Sequence, residues 1–302
     1  MLISASFDAG AGFVVWDERG GWDPDIKVPK FKMPPGATDC HVHIYGPSSR
    51  FPFLKERLHR AYEAPKEMLR AIHSKLGVER SVVVHGVTHG ANLSVTLDAL
   101  FTSGGRYRAI MPVDHTVTNQ RLEELSASGV RGVRFNFMPR LGGPPDRDTL
   151  LRMAERIAPL GWHVLVHMDA DDILVHCDTL RALKAPILFD HLLRLDPARG
   201  TNQEPFKRLV AFLNEGQAWV KLAALEKFSH EQYPFRDICG IAAALVDAAP
   251  DRVVWGTDWP HPDVVPGPTN DGDLVDLIPS YASTAALQQK LLVENPAQLY
   301  GF

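Results

Sequence analysis

From residue 37 onward, short hydrophobic runs alternate with longer amphipathic stretches. The runs cover 37–44, 81–86, 108–113, 130–135, 163–168, 186–191, 218–222 and 252–258. Several are rich in valine and isoleucine and apolar on both faces, the pattern of strands buried in a parallel sheet. Between and after them the period changes to that of helices, over 65–76, 92–101, 120–128, 148–158, 173–183, 205–214, 235–248 and 284–293. Eight strands, each followed by a helix, predict a (β/α)8 TIM-like barrel over 37–302 as one catalytic domain. A doubly wound open sheet is the alternative, but no Gly-x-Gly-x-x-Gly follows the first run. Residues 1–36 are rich in glycine, proline and charge and carry no sustained period. They read as an N-terminal arm laid over the barrel and covering its floor.

Composition adds limits. With 45% hydrophobic and 23% charged residues, the 302-residue chain is an ordinary globular mix, able to bury a large core. A net charge of -4 argues against a nucleic-acid or anionic-membrane partner. Three widely spaced cysteines do not suggest a disulfide framework or a Cys-x-x-Cys zinc site. The longest apolar run, 238–246, is far shorter than the roughly 20 residues a membrane span needs. Residues 1–15 contain Asp8 and no basic segment, so no secretory signal is expected and the cytoplasm is the expected location.

The ionisable residues interrupt the apolar runs almost always at one end. In barrels of this type the chemistry collects at the C-terminal ends of the strands. Run one ends in His41 and His43, run two in His85, and run four carries Arg134 near its end, with Arg140 beyond. Run five ends in His167, run six in Asp190 and His191 with Arg194 following, and run eight in Asp258. Alternation along a strand points His41 and His43 the same way. His-x-His alone is weak, since 13 histidines in 302 residues produce about one such pair in every two chains by chance. Burying imidazoles and carboxylates together is costly unless they pair or coordinate a metal, so the cluster is hard to explain by packing alone. Cys40, pointing away from His41, reads as a small core residue. His73, His176 and His230 read as surface residues.

Three stretches carry a resemblance: Asp39-Cys40-His41-Val42-His43, Phe189-Asp190-His191-Leu192-Leu193-Arg194, and Trp255-Gly256-Thr257-Asp258-Trp259-Pro260-His261. Together they resemble the amidohydrolase superfamily, in its 2-pyrone-4,6-dicarboxylate lactonase-like branch, over essentially the whole barrel. The resemblance implies a hydrolase that opens a small anionic lactone, such as a carboxylated or sulfonated muconolactone or a pyrone dicarboxylate from aromatic catabolism. It implies Asp258 and His191 as catalytic residues and Arg134, Arg140 and Arg194 as the arginines that bind the substrate's acid groups. Two departures matter: His167 stands where the dicarboxylate lactonases, which need no metal, have a tyrosine, and Lys227 stands as a substrate-binding residue in place of an arginine. Which of His59, Arg60 or Tyr62 faces the substrate stays open.

His167 changes the available chemistry. His41, His43, His167 and Asp258 form a reasonable ligand set for one Zn2+ with an open position, at which water would ionise near neutral pH. Mn2+ would fit less specifically, and a metal-free site is the family precedent. The expected mechanism has Asp258 take a proton from the attacking water and return it to the leaving oxygen while His191 polarises the carbonyl or positions the water. Gly-x-Ser-x-Gly is absent, which argues against a serine-esterase route. The alternative is a zinc-dependent decarboxylase of the same superfamily acting on a small unsaturated or aromatic acid.

Overall fold

The computed structural model describes residues 21–55, 62–262 and 269–302, the side chain of Arg140 excepted. Eight parallel strands follow one another in chain order: β1 (Thr38–Val42), β2 (Arg80–Val84), β3 (Tyr107–Met111), β4 (Val130–Asn136), β5 (His163–His167), β6 (Ile187–Phe189), β7 (Ala218–Leu222) and β8 (Val253–Trp255). Parallel ladders join each to the next, with register shifts in β1–β2 and β3–β4. The expected (β/α)8 barrel is therefore the fold.

Closure is made differently. Among the described residues one bridge pairs Val42 with Trp259, just past β8. Two backbone bonds flank it: His43 donates to the Trp259 carbonyl at 2.7 Å, and Asp258 donates to the His41 carbonyl at 2.9 Å. Asp39, fully buried, spans the same seam. Its carboxylate accepts from the backbone N–H of His41 (3.1 Å) and of Thr257 (3.0 Å), and from the Thr257 hydroxyl (2.6 Å). His73 Nε2 lies 3.3 Å from its second oxygen. His73, expected at the surface, is thus buried because it serves this carboxylate. Gly256 permits the close approach: a Cβ there would stand 2.6 Å from the His41 backbone nitrogen.

Helices cover the barrel because their apolar residues recur at helical spacing. Arg147–Ile157 buries Leu150, Met153, Ala154 and Ile157, and its first turn is capped by Asp146 accepting from the Thr149 N–H. The helix expected over 173–183 divides into Asp172–Val175 and Cys177–Arg181, because His176 between them leaves helical geometry at φ -98, ψ 8. Over 284–293 the helix Ala285–Gln289 continues as a π turn, Lys290–Glu294.

Inside the barrel, Cys40, Val82, Val84, Ile110, Leu165, Leu188, Trp219 and Val254 form a second apolar cluster, and Leu299 and Tyr300 plug it from below. The plug therefore comes from the last helix, Asn295–Tyr300. Residues 21–36 instead run down the outside, where Trp22 bridges Thr269, Lys27 pairs with Asp276 (3.1 Å), and the backbone N–H groups of Lys30 and Phe31 donate to Asp276. The remainder of the expected arm, 1–20, lies outside the described residues.

Candidate active site

β1 does not alternate as a regular strand. Its register against β2 slips between Asp39 and Val42, so that successive residues Cys40 and His41 both face the interior. This bulge overrides the period-2 expectation for Cys40 and lifts His41 and His43 together to the mouth.

The outer nitrogen of each imidazole fixes the inner one. His43 Nδ1 lies 2.8 Å from the Val84 carbonyl, which can only accept, so Nδ1 carries the proton. His41 Nδ1 lies 3.0 Å from Asp190 Oδ1 and 3.2 Å from Lys221 Nζ; the shorter contact to the carboxylate assigns the proton to Nδ1, and the ammonium is left to Asp190. Both Nε2 atoms are then lone pairs, and both face Asp258 Oδ1, at 3.3 Å from His41 and 3.4 Å from His43. His41 Nε2, Asp258 Oδ1 and His191 Nδ1 are buried without a hydrogen-bond partner. Lone pairs converging on a carboxylate oxygen repel one another unless a cation lies among them. The donor set therefore fits a metal ion. Among the described residues, ligand atoms within 4.8 Å of one another come from His41, His191 and Asp258.

Asp190 is the hub beneath this cradle. Besides His41, it meets Lys221 Nζ and Arg134 Nη2, each at 3.5 Å, and His191 Nε2, also at 3.5 Å. Burial opposes its charge, but His191, His41 and Lys221 outweigh it and hold the carboxyl well below the usual range. Lys221 is fully buried in β7, 3.2 Å from His41 Nδ1. Burial lowers its pKa, and Asp190 opposes the shift. Arg134 faces inward as expected; Gly132 beside it leaves room for the His163 ring.

The chain leaves β6 through an unusual turn. His191, Leu192, Leu193 and Arg194 all have φ between 50° and 55°, left-handed values that cost an L-residue roughly 1–2 kcal/mol each. Leu192 and Leu193 are fully buried and anchor the turn, which delivers His191 and Arg194 to the mouth. Asp258 is left-handed too, at φ 67°.

A cavity of about 250 Å³ sits above, lined by His43, Tyr45, Arg134, Leu141, His167, His191, Arg194, Lys227, Phe228 and Asp258 among others. Lys227 pairs with Asp258 Oδ2 and donates to the Pro262 carbonyl at 2.6 Å. Arg194 donates to Asp169 at 2.7 Å and lies over the Phe228 ring. His167 Nδ1 is 3.1 Å from Asn136 Oδ1, and the ring stands 5.6 Å from that of His191.

His41, His167 and His191 are neutral at physiological pH. Burial pushes His191 down to about 4 and holds His41 and His167 well below the usual value. Asp258 stays ionised: burial opposes its charge, but Lys227 and His191 hold it well below the carboxylate range.

An amidohydrolase family model matches residues 38–302. The chain belongs to that family. It is 41% identical over 288 residues to a 2-pyrone-4,6-dicarboxylate hydrolase of Comamonas testosteroni, covering 92% of this chain and 94% of that one. It is 38% identical over 277 residues to a 4-sulfomuconolactone hydrolase of Rhizobium radiobacter, covering 90% and 92%. A crystal structure of an Agrobacterium tumefaciens protein in its apo form superposes with a TM-score of 0.80 at 29% identity, covering 91% and 98%.

In this amidohydrolase the sequence-expected residues His41, His43, Arg134, His167, His191, Arg194, Lys227 and Asp258 meet at one mouth. His167 is not in the tightest ligand group; His191 is. The side chain of Arg140, and His59 and Arg60, lie outside the described residues. Tyr62 donates its hydroxyl to the Pro260 carbonyl at 2.6 Å. His85 bonds Thr96 and the Gly90 carbonyl, which fits the loop-packing reading. Sequence reasoning assigned no role to Lys221. The signal was a lysine in the run Ala-Trp-Val-Lys-Leu, two residues from Trp219 and hence on the interior face.

Proposed function

We infer that the protein is a hydrolase that opens a small anionic lactone by attack of an activated water. One observation carries the reading: Asp258 Oδ1 faces two imidazole lone pairs at the rim of a cavity ringed by Arg134, Arg194 and Lys227. The likeness to dicarboxylate and sulfomuconolactone hydrolases supports the substrate class, a ring bearing carboxylate or sulfonate.

His41, His43 and Asp258 would hold one divalent metal, Zn2+ before Mn2+, with His167 as the fourth ligand named from sequence and His191 as its competitor. When bound, such an ion makes water more acidic and polarises a carbonyl. The remaining steps belong to side chains. Lys227 holds Oδ2 of Asp258 and leaves Oδ1 to accept a proton from the attacking water. The water oxygen bonds to the lactone carbon, and the ring C–O bond breaks as Asp258 returns the proton to the leaving oxygen. His191 orients the carbonyl, and Arg134 supplies charge-assisted donors for an acid group. The product is a hydroxy acid, or an enol and its keto tautomer where the ring oxygen sits on an alkene carbon, with one proton released as its new carboxyl ionises.

A pH-indicator assay with 2-pyrone-4,6-dicarboxylate and 4-sulfomuconolactone tests the reading. One proton released per ring opened, lost by about 10²–10⁴ in Asp258→Asn, is the expected result. Carbon dioxide release from an open-chain or aromatic acid, with no lactone consumed, would instead favour the decarboxylase. Metal analysis of the purified protein, of His167→Tyr and of His191→Gln identifies the fourth ligand. Full activity in metal-free protein would remove the metal and leave the lactonase standing.

A further inference from the structure

A second, larger hollow of about 850 Å³ opens at the barrel mouth, between the ends of β3 and β4 and the helices Ser94–Phe101 and Asn119–Ala127. Leu93, Leu97, Val113, Val117, Phe135 and Leu141 wall it, hydrophobic side chains left only half-buried. Apart from Arg134, the charged groups on its rim are already engaged. Arg121 pairs with Glu124 at 2.9 Å, and Asp114 accepts from the backbone N–H of Thr116 at 2.8 Å. A contiguous apolar surface with satisfied polar edges suits an apolar ligand.

The hollow meets the candidate active-site cavity at Arg134 and Leu141, which line both. Arg134 has donors to spare at that junction: its Nη2 is 3.5 Å from Asp190, and its buried Nε has no partner. An acid group seated on this guanidinium would have the catalytic cavity on one side and the apolar groove on the other.

We propose that the groove binds an apolar substituent of the substrate. The preferred substrate is then an anionic lactone whose acid group sits on Arg134 and whose alkyl or aryl arm passes Leu141 into the groove. The inference rests on the lactonase reading and narrows its substrate class. The volumes agree with this division, about 250 Å³ for a small ring and about 850 Å³ for what the ring carries.

The experiment uses the full chain and a series of carboxylated γ-lactones bearing hydrogen, methyl, propyl or phenyl on the ring. Through the first few carbons kcat/KM should rise about fourfold per methylene buried. Leu97→Trp, on the helix Ser94–Phe101, and Val113→Trp, just past β3, should fill the groove, flatten that rise and leave the unsubstituted lactone unchanged. Calorimetric Kd values for the matching cyclopentanone carboxylates, which lack the ester bond, should follow the same trend. Affinity that is flat or falls as the arm grows, or a rise that survives both tryptophans, overturns the groove. Should none of the lactones be opened, the hydrolase reading fails, while the cyclopentanone series still decides the groove by the same criteria.

Discussion

Asp39→Ala removes the carboxylate that ties the two ends of the barrel together. In the native protein this fully buried group accepts from two backbone N–H groups, those of His41 and Thr257, as well as from the Thr257 hydroxyl. Alanine leaves both N–H groups buried without partners, at roughly 1–3 kcal/mol each, so the expected loss is about 2–6 kcal/mol. The Thr257 hydroxyl can rotate and His73 can change tautomer, so neither adds a comparable penalty. Asp39→Asn keeps one oxygen for the two N–H groups and should cost about 1–2 kcal/mol. Against a typical total of about 5–15 kcal/mol, the alanine variant stands near the edge of folding. Equilibrium urea unfolding of the three proteins measures the ordering, with an unchanged denaturant slope showing that the same surface is exposed. The same variant should lose turnover, because the two bonds hold the backbone on either side of His41 and Asp258. An alanine variant within about 0.5 kcal/mol of the parent would refute the reasoning, since that is the range of an ordinary surface substitution.

Gly256→Ala drives a methyl to 2.6 Å from the His41 backbone nitrogen, so it should open the same seam and lower the urea midpoint by more than Asp39→Asn does. His261, buried between Glu226 and Asp271 at 3.1 Å each, is pushed up to about 10 by those carboxylates against the opposing effect of burial. A raised histidine pKa stabilises the fold fully below about 6.5 and loses that contribution as pH rises through about 10. The stability gap between the parent and His261→Gln should therefore narrow from pH 6.5 to pH 10; a constant gap across urea titrations would show His261 to be neutral. Arg134→Gln should raise KM for a carboxylated lactone by about 10- to 100-fold, with a smaller change in kcat, as steady-state kinetics would show.

The barrel was legible because its strands are buried on both faces, and runs such as Val82-Val83-Val84 and His163-Val164-Leu165-Val166 carry that signature undiluted. The mouth was legible because ionisable residues at strand ends have no packing explanation. What stayed hidden depends on long-range geometry. The bulge at Cys40 comes from pairing with β2, and the left-handed turn at His191–Arg194 is written in ordinary residues, with no glycine to announce it. His73 follows a helical surface pattern until Asp39 arrives from another element. Lys227, expected to bind the substrate, lines the cavity, and its pairing with Asp258, a partner 31 positions on, was not visible in the sequence. Lys221 was visible but unread, since only the fold brings it to His41 and Asp190.

The seam joins residues 218 positions apart in the chain, and the candidate catalytic constellation sits on it. Half of the cradle, His41 and His43, enters with the first strand; Asp258 follows the last. A partly folded chain can contain seven strands in order and still have no cradle, because closure is the event that creates it. Contacts of such long sequence separation form late, after much chain entropy has been lost. Recovery of turnover during refolding should therefore trail the return of helical signal, and enzymatic activity in this molecule reports on topology: it registers the moment at which the ring is complete.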